Sequence, residues 1–339
     1  MRNRAAGFLL SLAVTAAWGQ GLAERKRDPY LGAIVVEART GAVLFEDRAD
    51  EPGYPASMLK LMDLLLVLEK VQAGALRLED PVTVTREAAQ IGGSQVYLAE
   101  KEIFTVEELL YALMIQSAND AATALAIHVG GSKDGFVRLM NEKARALGMT
   151  KTVFQSVHGL PPATGQTPDV STARDFARLG CELVNRFPEA LRFTSTRERT
   201  FRQQPLFIMR THNNLLGSFP GCDGLKTGYF RAGGYSMSAT AERNGVRLVG
   251  VILGSPDKTT RDNRMRELLS AAFLNAPPPP PPPPPVVVAP PTNFPPAENA
   301  PAMPAPPASG GRRGWLRWTG AGLIVLAFLG ILRRALARR

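Results

Sequence analysis

Residues 54–71 read YPASMLKLMDLLLVLEKV, and this stretch decides the fold. Leucines recur on nearly every side of the segment after Ser57, which predicts a helix buried in the middle of a domain. Ser57 and Lys60 are three residues apart and share one face of that helix, near the end where the dipole favours an anion. Burial would lower the pKa of the Lys60 ammonium, and Lys226 as a second cation would lower it further. The stretch therefore predicts a serine nucleophile beside an amine base.

Two other short motifs follow along the chain. Residues 117–119 (S-A-N) lie at a predicted junction between two helices, and residues 226–228 (K-T-G) enter a predicted strand. Each motif alone is weak, because an S-x-x-K tetrad arises by chance and a Ser/Asn pair is an ordinary helix cap. Their order and their places on the predicted elements point to one shared cleft.

The pattern around these motifs predicts an α+β domain. Thr105 and Glu108 form a capping box, Thr172 is a helix cap, and Asp120 is the expected cap of the helix after residue 119. Asn244-Gly245 is a two-residue hairpin turn. Helices are predicted at residues 57–71, 105–116, 120–129, 132–147, 171–186 and 258–273. Strands are predicted at residues 31–45 (a hairpin), 200–202, 206–210, 226 onward, 235–241 and 246–254. The antiparallel sheet must unite both ends of the domain.

The net charge of +10 does not indicate a nucleic-acid partner. Arg2 and Arg4 contribute two of these charges, and seven arginines of the C-terminal tail contribute seven, against one acid, Glu298, in the segment before it. Residues 20–275 therefore carry a net charge of only +2, too little for a phosphate-binding surface.

The two ends of the chain predict export and anchoring. Residues 1–23 have a basic start and an apolar run, the pattern of a secretory signal peptide, with a buried N-terminal helix as the alternative. Residues 276–310 hold 17 of the 28 prolines and predict a semi-rigid linker, or alternatively a proline-rich ligand. Residues 311–339 predict a C-terminal transmembrane anchor with a basic tail. The charge-free run of 15 residues is short for a spanning helix, so a helix that lies on the membrane surface is the alternative. The catalytic domain would then be residues 24–275.

The chain has two cysteines, Cys181 and Cys222, which are as compatible with buried thiols as with a disulfide. No zinc or redox motif occurs, so we expect no metal and no cofactor.

The three motifs together resemble those of the serine penicillin-binding proteins and β-lactamases. More narrowly, the chain resembles the low-molecular-weight D-alanyl-D-alanine carboxypeptidases over roughly residues 29–273, with supporting text in Y-P-A-S (54–57), H-G-L (158–160) and D-G-L-K-T-G (223–228). The resemblance implies the penicillin-binding protein and β-lactamase-like serine transpeptidase fold, an antiparallel sheet flanked by helices with an all-helical lobe.

The resemblance also implies roles for nine residues. Ser57 would be the nucleophile, Lys60 its base and Ser117 the proton relay to the leaving amine. The substrate would be bound by Asn119, Lys226, Thr227, Gly228, Tyr229 and Arg261. Among these, the backbone N–H groups of Ser57 and Tyr229 would form the oxyanion hole, and Arg261 would recognise the free carboxylate unless it is merely a solvated helix arginine. The three histidines, His128, His158 and His212, are expected to be packing or loop residues.

We therefore expect a serine carboxypeptidase that removes the terminal D-alanine from peptidoglycan stem peptides and is acylated by β-lactam antibiotics. It would sit at the bacterial cytoplasmic membrane with its catalytic domain on the periplasmic side. The E-x-x-L-N glutamate of class A β-lactamases has no match, so fast β-lactam hydrolysis is not expected. A DD-endopeptidase with the same residues and an inactive penicillin-binding scaffold remain the alternatives.

Overall fold

The computed structural model describes residues 22–276. Three segments predicted from the sequence lie outside these residues: the signal peptide except for its last two residues, the proline-rich linker except for its first residue, and the whole C-terminal anchor. Within them, no helix is both long and apolar enough to cross a membrane.

A five-stranded antiparallel sheet in the order β2-β1-β9-β8-β7 forms the centre of the fold. Its strands are β1 (Gly32–Glu37), β2 (Val43–Asp47), β7 (Cys222–Phe230), β8 (Gly234–Arg243) and β9 (Val246–Ser255). Because β1 pairs with β9, the sheet unites both ends of the domain as the sequence predicts. The β8–β9 turn has positive φ at Asn244 and Gly245, which confirms the predicted hairpin turn.

Helices cover both faces of this sheet. They are α1 (Lys60–Gln72), α2 (Arg86–Ala89), α3 (Val106–Tyr111), α4 (Asn119–Gly130), α5 (Lys133–Ala146), α6 (Ala173–Arg186), α7 (Ala190–Thr194) and α8 (Lys258–Asn275). The helix α8 packs its apolar residues Met265 and Leu269 on one face of the sheet. On the other face, β1 and β9 pack against the larger core that holds α1, α4 and α6. The expected α+β architecture with a helical lobe is confirmed.

Two small hairpins lie outside the central sheet. The strands β3 (Pro81–Thr83) and β4 (Ile103–Thr105) pair with each other, as do β5 (Glu198–Gln203) and β6 (Leu206–Arg210). The first pair and the short helices α2 and α7 were not predicted, because three to five residues give too short a periodic signal.

Two predicted helix starts differ from the structure. Ser57 lies in a 3₁₀ turn, Ala56–Leu59, and the α-helix begins only at Lys60. The expectation that Asp120 caps α4 is wrong, because Ala118 takes the cap position and Asp120 lies inside the first turn. The carboxylate of Asp120 instead accepts hydrogen bonds from the N–H groups of Val96 and Leu98, which ties a distant loop to the helix.

The two cysteines are free thiols on opposite sides of the sheet. Cys181 packs against the core that contains α6, and Cys222 packs against the core under α8. Burial raises the pKa of Cys181 to about 12 and that of Cys222 to about 11, so both thiols are inert at neutral pH. The structure therefore favours two half-buried free thiols over a disulfide.

Candidate active site

A cleft of about 320 Å³ opens between the helical lobe and the edge strand β7. Its lining residues are Ser57, Ser94, Ser117, His212, Thr227, Gly228, Tyr229, Tyr235, Lys258 and Arg261. The cleft thus brings together residues from all three motifs, which are separated by up to 171 positions in the chain.

Ser57 and Lys60 meet at the start of α1. The 3₁₀ turn places residues i and i+3 directly above one another, so the side chains of Ser57 and Lys60 project in the same direction. The Lys60 Nζ lies 3.0 Å from the Ser57 Oγ. Lys60 is 0% exposed, whereas Ser57 is only half-buried and faces the cleft. The amine is therefore shielded from water while its partner hydroxyl stays accessible to a ligand.

Two further acceptors surround the Lys60 amine. Its Nζ lies 2.8 Å from the Asn119 Oδ1 and 2.7 Å from the backbone oxygen of His158. Burial lowers the pKa of Lys60 to about 7, against an opposing influence of Asp63, Asp169 and Asp120. The direction of the shift and burial as its main cause are both as the sequence predicts.

The turn that carries Ser57 is clamped between two glycines. A Cβ at Gly228 would lie 2.3 Å from the backbone oxygen of Pro55, and a Cβ at Gly159 would lie 2.3 Å from that of Ala56. Both are far below a van der Waals contact, so neither position tolerates a side chain without a backbone shift. Gly228 therefore allows β7 to lie close to the turn that carries the nucleophile.

Ser117 lies at a strained junction. The helix α3 continues into a π-helical turn, Ala112–Gln116, after which Ser117 has a φ of +61°. Ser117 is buried and lines the cleft. Departures of this kind are uncommon and cluster at functional sites, where surrounding contacts stabilise them. Here the Ser94 hydroxyl donates to the Gln116 oxygen at 2.6 Å, and the Asn119 N–H donates to the Ser94 oxygen at 2.7 Å.

Both ends of the Asn119 amide make hydrogen bonds within the protein. Its Oδ1 accepts from Lys60, and its Nδ2 donates to the Gly92 oxygen at 2.8 Å. The side chain thus fixes the position of the amine as well as the loop at the cleft edge. Its predicted contact with a substrate carbonyl remains a prediction, and would use the second N–H of Nδ2.

The K-T-G residues lie on the edge of the sheet. Because β7 has a strand partner on one side only, alternate backbone N–H groups point away from the sheet. Lys226 is 3% exposed, and its Nζ donates to the Thr227 oxygen at 3.0 Å. Burial lowers the pKa of Lys226 well below its usual value, and the neighbouring Lys60 and Arg261 lower it further. Tyr229 is 53% exposed and stacks on Tyr235, with ring centres 4.1 Å apart.

Arg261 lies at the wall of the cleft but is not a solvated helix arginine. It is 2% exposed, and its Nε and Nη2 both donate to the Asp262 Oδ1, at 2.8 and 2.5 Å. The alternative that the sequence left open is thereby excluded.

Four functional positions were missed at the level of sequence. Ser94, His212, Tyr235 and Lys258 line the cleft, and no motif marked the first, third or fourth. His158 contributes its backbone oxygen, which no side-chain pattern reveals. His212 was expected to be structural, but it faces the cleft, and burial and nearby cations lower its pKa to about 4. Within residues 22–276, no cluster of three or more metal-ligating side chains is arranged to hold a metal ion.

Residues 31–257 match the D-alanyl-D-alanine carboxypeptidase family, peptidase S11. The chain belongs to this family. It is 35% identical over 243 residues to the D-alanyl-D-alanine carboxypeptidase DacF of Bacillus subtilis, covering 71% of this chain and 61% of that protein. It is 37% identical over 284 residues to DacC of Escherichia coli, covering 80% and 69%. The chain therefore spans about three fifths to two thirds of the length of these family members.

Solved structures of family proteins share the fold. The carboxypeptidase DacD from Francisella tularensis superposes with a TM-score of 0.69 at 27% identity, covering 77% of this chain and 74% of that one. Penicillin-binding protein D2 from Listeria monocytogenes, in its ampicillin-bound form, gives a TM-score of 0.65 at 32% identity, covering 72% and 97%. The expected penicillin-binding protein fold is confirmed.

Proposed function

We propose that the chain is a serine D-alanyl-D-alanine carboxypeptidase that is acylated on Ser57. The observation that carries the proposal is the set of partners around the Lys60 amine. Two of the three, the Asn119 Oδ1 and the His158 oxygen, can only accept hydrogen bonds, and the third is the Ser57 hydroxyl.

This set of partners fits a neutral amine. The ammonium form of Lys60 would donate to all three oxygens, whereas a neutral amine has two N–H groups for the two acceptors and one lone pair that can accept from the Ser57 O–H. With a pKa of about 7, Lys60 is largely neutral at a slightly alkaline pH. It can then remove the Ser57 proton as the oxygen attacks a carbonyl carbon. An inactive scaffold would have no reason to maintain this arrangement.

The reaction divides into two halves. In the first, the Ser57 oxygen bonds to the carbonyl carbon of the penultimate D-alanine, Lys60 takes the hydroxyl proton, and the peptide C–N bond breaks. Lys60 returns this proton through the Ser117 hydroxyl to the leaving amine, which departs as D-alanine, so Lys60 is neutral again. In the second, water attacks the ester carbonyl carbon while Lys60 takes a proton from the water, the ester C–O bond breaks, and Lys60 passes that proton to the Ser57 oxygen to restore the hydroxyl. The N–H groups of Ser57 and Tyr229 stabilise the oxyanion in both halves.

The proposed substrate is a peptidoglycan stem peptide that ends in D-alanyl-D-alanine. The proposed contacts of its terminal carboxylate are Lys226, Thr227 and Gly228 on β7, with Arg261 on α8, whose Nη1 lies 3.5 Å from the Ser236 oxygen of β8. Asn119, at the start of α4, is the proposed contact on the helical side. A β-lactam would enter the same cleft and stop at the acyl-enzyme. The ampicillin-bound form of the Listeria monocytogenes protein supports this part of the proposal.

Labelling with a fluorescent penicillin tests the nucleophile. The wild-type protein should form a covalent adduct on Ser57 by mass spectrometry, and Ser57→Ala should form none. Ser270→Ala is the matched control, because Ser270 is an exposed serine on α8 that does not line the cleft. An adduct retained in Ser57→Ala would overturn the proposal.

Digestion of purified muropeptides separates the carboxypeptidase from the endopeptidase. Release of free D-alanine from pentapeptides supports the first, whereas cleavage of cross-linked dimers without D-alanine release supports the second.

We also propose that the catalytic domain acts on the periplasmic side of the cytoplasmic membrane, held by residues 311–339. The support is the signal-like residues 1–23, the proline-rich residues 276–310 and the arginine-flanked apolar run, together with a peptidoglycan substrate that lies outside the cytoplasm. In spheroplasts, a protease should remove the catalytic domain and spare a C-terminal tag. Digestion of the tag from outside would contradict this topology.

A further inference from the structure

Tyr97 is an exposed aromatic residue near the mouth of the cleft. It is 68% exposed and lies three residues after Ser94, which lines the cleft. Three residues span at most about 11 Å along the chain, so Tyr97 lies close to the cleft although it does not line it. The reaction described above leaves its ring without a role.

The backbone at Tyr97 is strained. Its φ is +59°, a left-handed conformation that is uncommon for a residue with a Cβ. Such conformations persist only where surrounding contacts hold them, and they cluster at functional sites. The conformation therefore raises the question of what holds Tyr97 in place and what its ring contacts.

Three hydrogen bonds fix the chain around Tyr97. The N–H groups of its two neighbours, Val96 and Leu98, donate to the carboxylate of Asp120 at 3.1 and 3.0 Å. The Tyr97 oxygen accepts from the Arg202 Nη2 at 3.1 Å. The helical lobe and the β5–β6 hairpin thus hold the strained residue from two sides, while its side chain stays open to solvent.

The surroundings of the ring are apolar on one side and carry no net charge. The ring packs edge-on against Phe207, with ring centres 5.8 Å apart. Arg202 donates two hydrogen bonds to Glu102, at 2.7 and 2.6 Å, and the exposed Glu100 and Lys101 carry opposite charges. These four charges sum to zero. An uncharged, amphipathic group suits this surface better than an anionic membrane, which would require unpaired cations.

The proposed substrate carries such a group at a suitable distance. A pentapeptide stem ends in two D-alanines, so three residues separate this pair from the sugar to which the stem is attached. Three extended residues span about 10 to 11 Å, which is the range within which Tyr97 lies from the cleft. A sugar ring can pack its C–H groups on an aromatic face while its hydroxyls stay in water, as a tyrosine does with its own hydroxyl.

We propose that Tyr97 binds a sugar ring of the glycan strand to which the stem peptide is attached, and that it favours glycan-linked substrates over free peptides. The inference rests on the proposed function and extends the site beyond the cleft, to a residue outside the three motifs.

D-Alanine release from two matched substrates tests the inference. The substrates are a free pentapeptide and the same pentapeptide attached to its disaccharide. The wild-type kcat/KM should be about 3- to 10-fold higher for the disaccharide-linked substrate, the size of one aromatic contact. Tyr97→Asn removes the ring but tolerates the left-handed backbone, and it should bring the ratio close to one with the free-peptide rate unchanged. Tyr97→Gly, which adopts positive φ freely, should behave alike, and Tyr97→Phe should keep most of the ratio.

Leu274→Asn is the matched control, because Leu274 is an exposed apolar residue on α8 that does not line the cleft. It should leave the ratio unchanged. A disaccharide preference that persists in Tyr97→Asn and Tyr97→Gly would assign the ring to another occupant, such as a partner protein, and would overturn the inference. Equal losses on both substrates would also overturn it, because they would show that Tyr97 supports the cleft instead of binding the sugar. A wild-type protein that cleaves both substrates equally well overturns the inference and leaves the carboxypeptidase proposal intact, whereas no D-alanine release from either substrate refutes the proposed function itself.

Discussion

Lys60 and Lys226 lie on opposite sides of one cleft, and both are almost fully buried. Burial lowers the pKa of each ammonium. Their partners differ, because the Lys60 amine has three oxygen partners from three separate segments, whereas the Lys226 amine has the oxygen of the adjacent Thr227. Burial alone therefore does not define the role of a lysine. The number and the kind of its hydrogen-bond partners define it.

This difference in hydrogen-bond partners assigns proton transfer to Lys60 and the recognition of a charged group to Lys226. Around Lys60, all three hydrogen-bonding positions are filled in a way that suits the neutral amine. Around Lys226, N–H groups remain for a ligand, and an arriving carboxylate would stabilise the ammonium and so oppose the burial that lowers its pKa. The helical side of the cleft is thus built for the reaction, and the strand side for the anion.

Replacing each lysine with methionine should have the largest effects on penicillin acylation, and the two effects should differ in size. Lys60→Met should slow penicillin acylation by about 10³- to 10⁴-fold, because it removes the base. Lys60→Arg should be nearly as slow, since a guanidinium stays protonated. Lys226→Met should cost about 10- to 100-fold, the size of one charge-assisted contact. Stopped-flow acylation rates measure all three, and equal losses for the two methionine variants would contradict the division of roles.

Asp63 is a buried carboxyl group on the same helix as Lys60. It follows Lys60 by one turn, is 1% exposed, and neither carboxyl oxygen has a hydrogen-bond partner. Burial raises its pKa well above the usual range, although Lys60 opposes this effect. The native state therefore keeps a proton that the unfolded chain releases, and wild-type stability falls as pH rises above about 4.

Asp63→Asn should remove this pH dependence. Relative to the wild type, the variant should gain up to about 1.4 kcal/mol of unfolding free energy per pH unit above pH ~4, until the folded-state pKa is reached. Urea unfolding at pH 5 and pH 8 gives the difference. A variant that becomes relatively less stable at pH 8 would show that Asp63 is ionised and paired with Lys60.

Gly228 links the two sides of the cleft. Gly228→Ala would press a Cβ against the Pro55 oxygen and displace the Ser57 turn from β7. We expect a loss of about 1–3 kcal/mol in stability, typical of overpacking, and slower acylation. Thermal unfolding and acylation rates measure both effects.

Gly92→Ala is the matched control for Gly228, since a Cβ there meets no atom within 4 Å and the backbone oxygen that holds Asn119 is kept. If both variants acylate like the wild type, the close approach at Gly228 does not position the nucleophile.

Much of this site could be predicted because its signals are local. The Thr105–Glu108 capping box, the Thr172 cap and the Asn244-Gly245 turn each depend on neighbouring residues, and all are present. The three motifs were informative because their spacing fits one cleft.

The remainder depends on tertiary contacts. Asp120 has the composition of a helix cap, but it hydrogen-bonds a loop more than 20 residues away, which no local rule anticipates. The His158 contact uses a backbone oxygen that every residue type offers. The left-handed conformation of Ser117 follows from the π-helical turn before it.

The pH dependence of penicillin acylation tests most directly whether Lys60 acts as a neutral base. The second-order rate constant of the wild-type protein should fall about tenfold per pH unit below a midpoint near pH 7, because protonation of Lys60, whose pKa is about 7, removes the lone pair that faces Ser57. Above that midpoint the rate should level off. A rate that is constant from pH 5 to 9, or that keeps rising to a midpoint near the ordinary lysine pKa of about 10.4, would contradict the account.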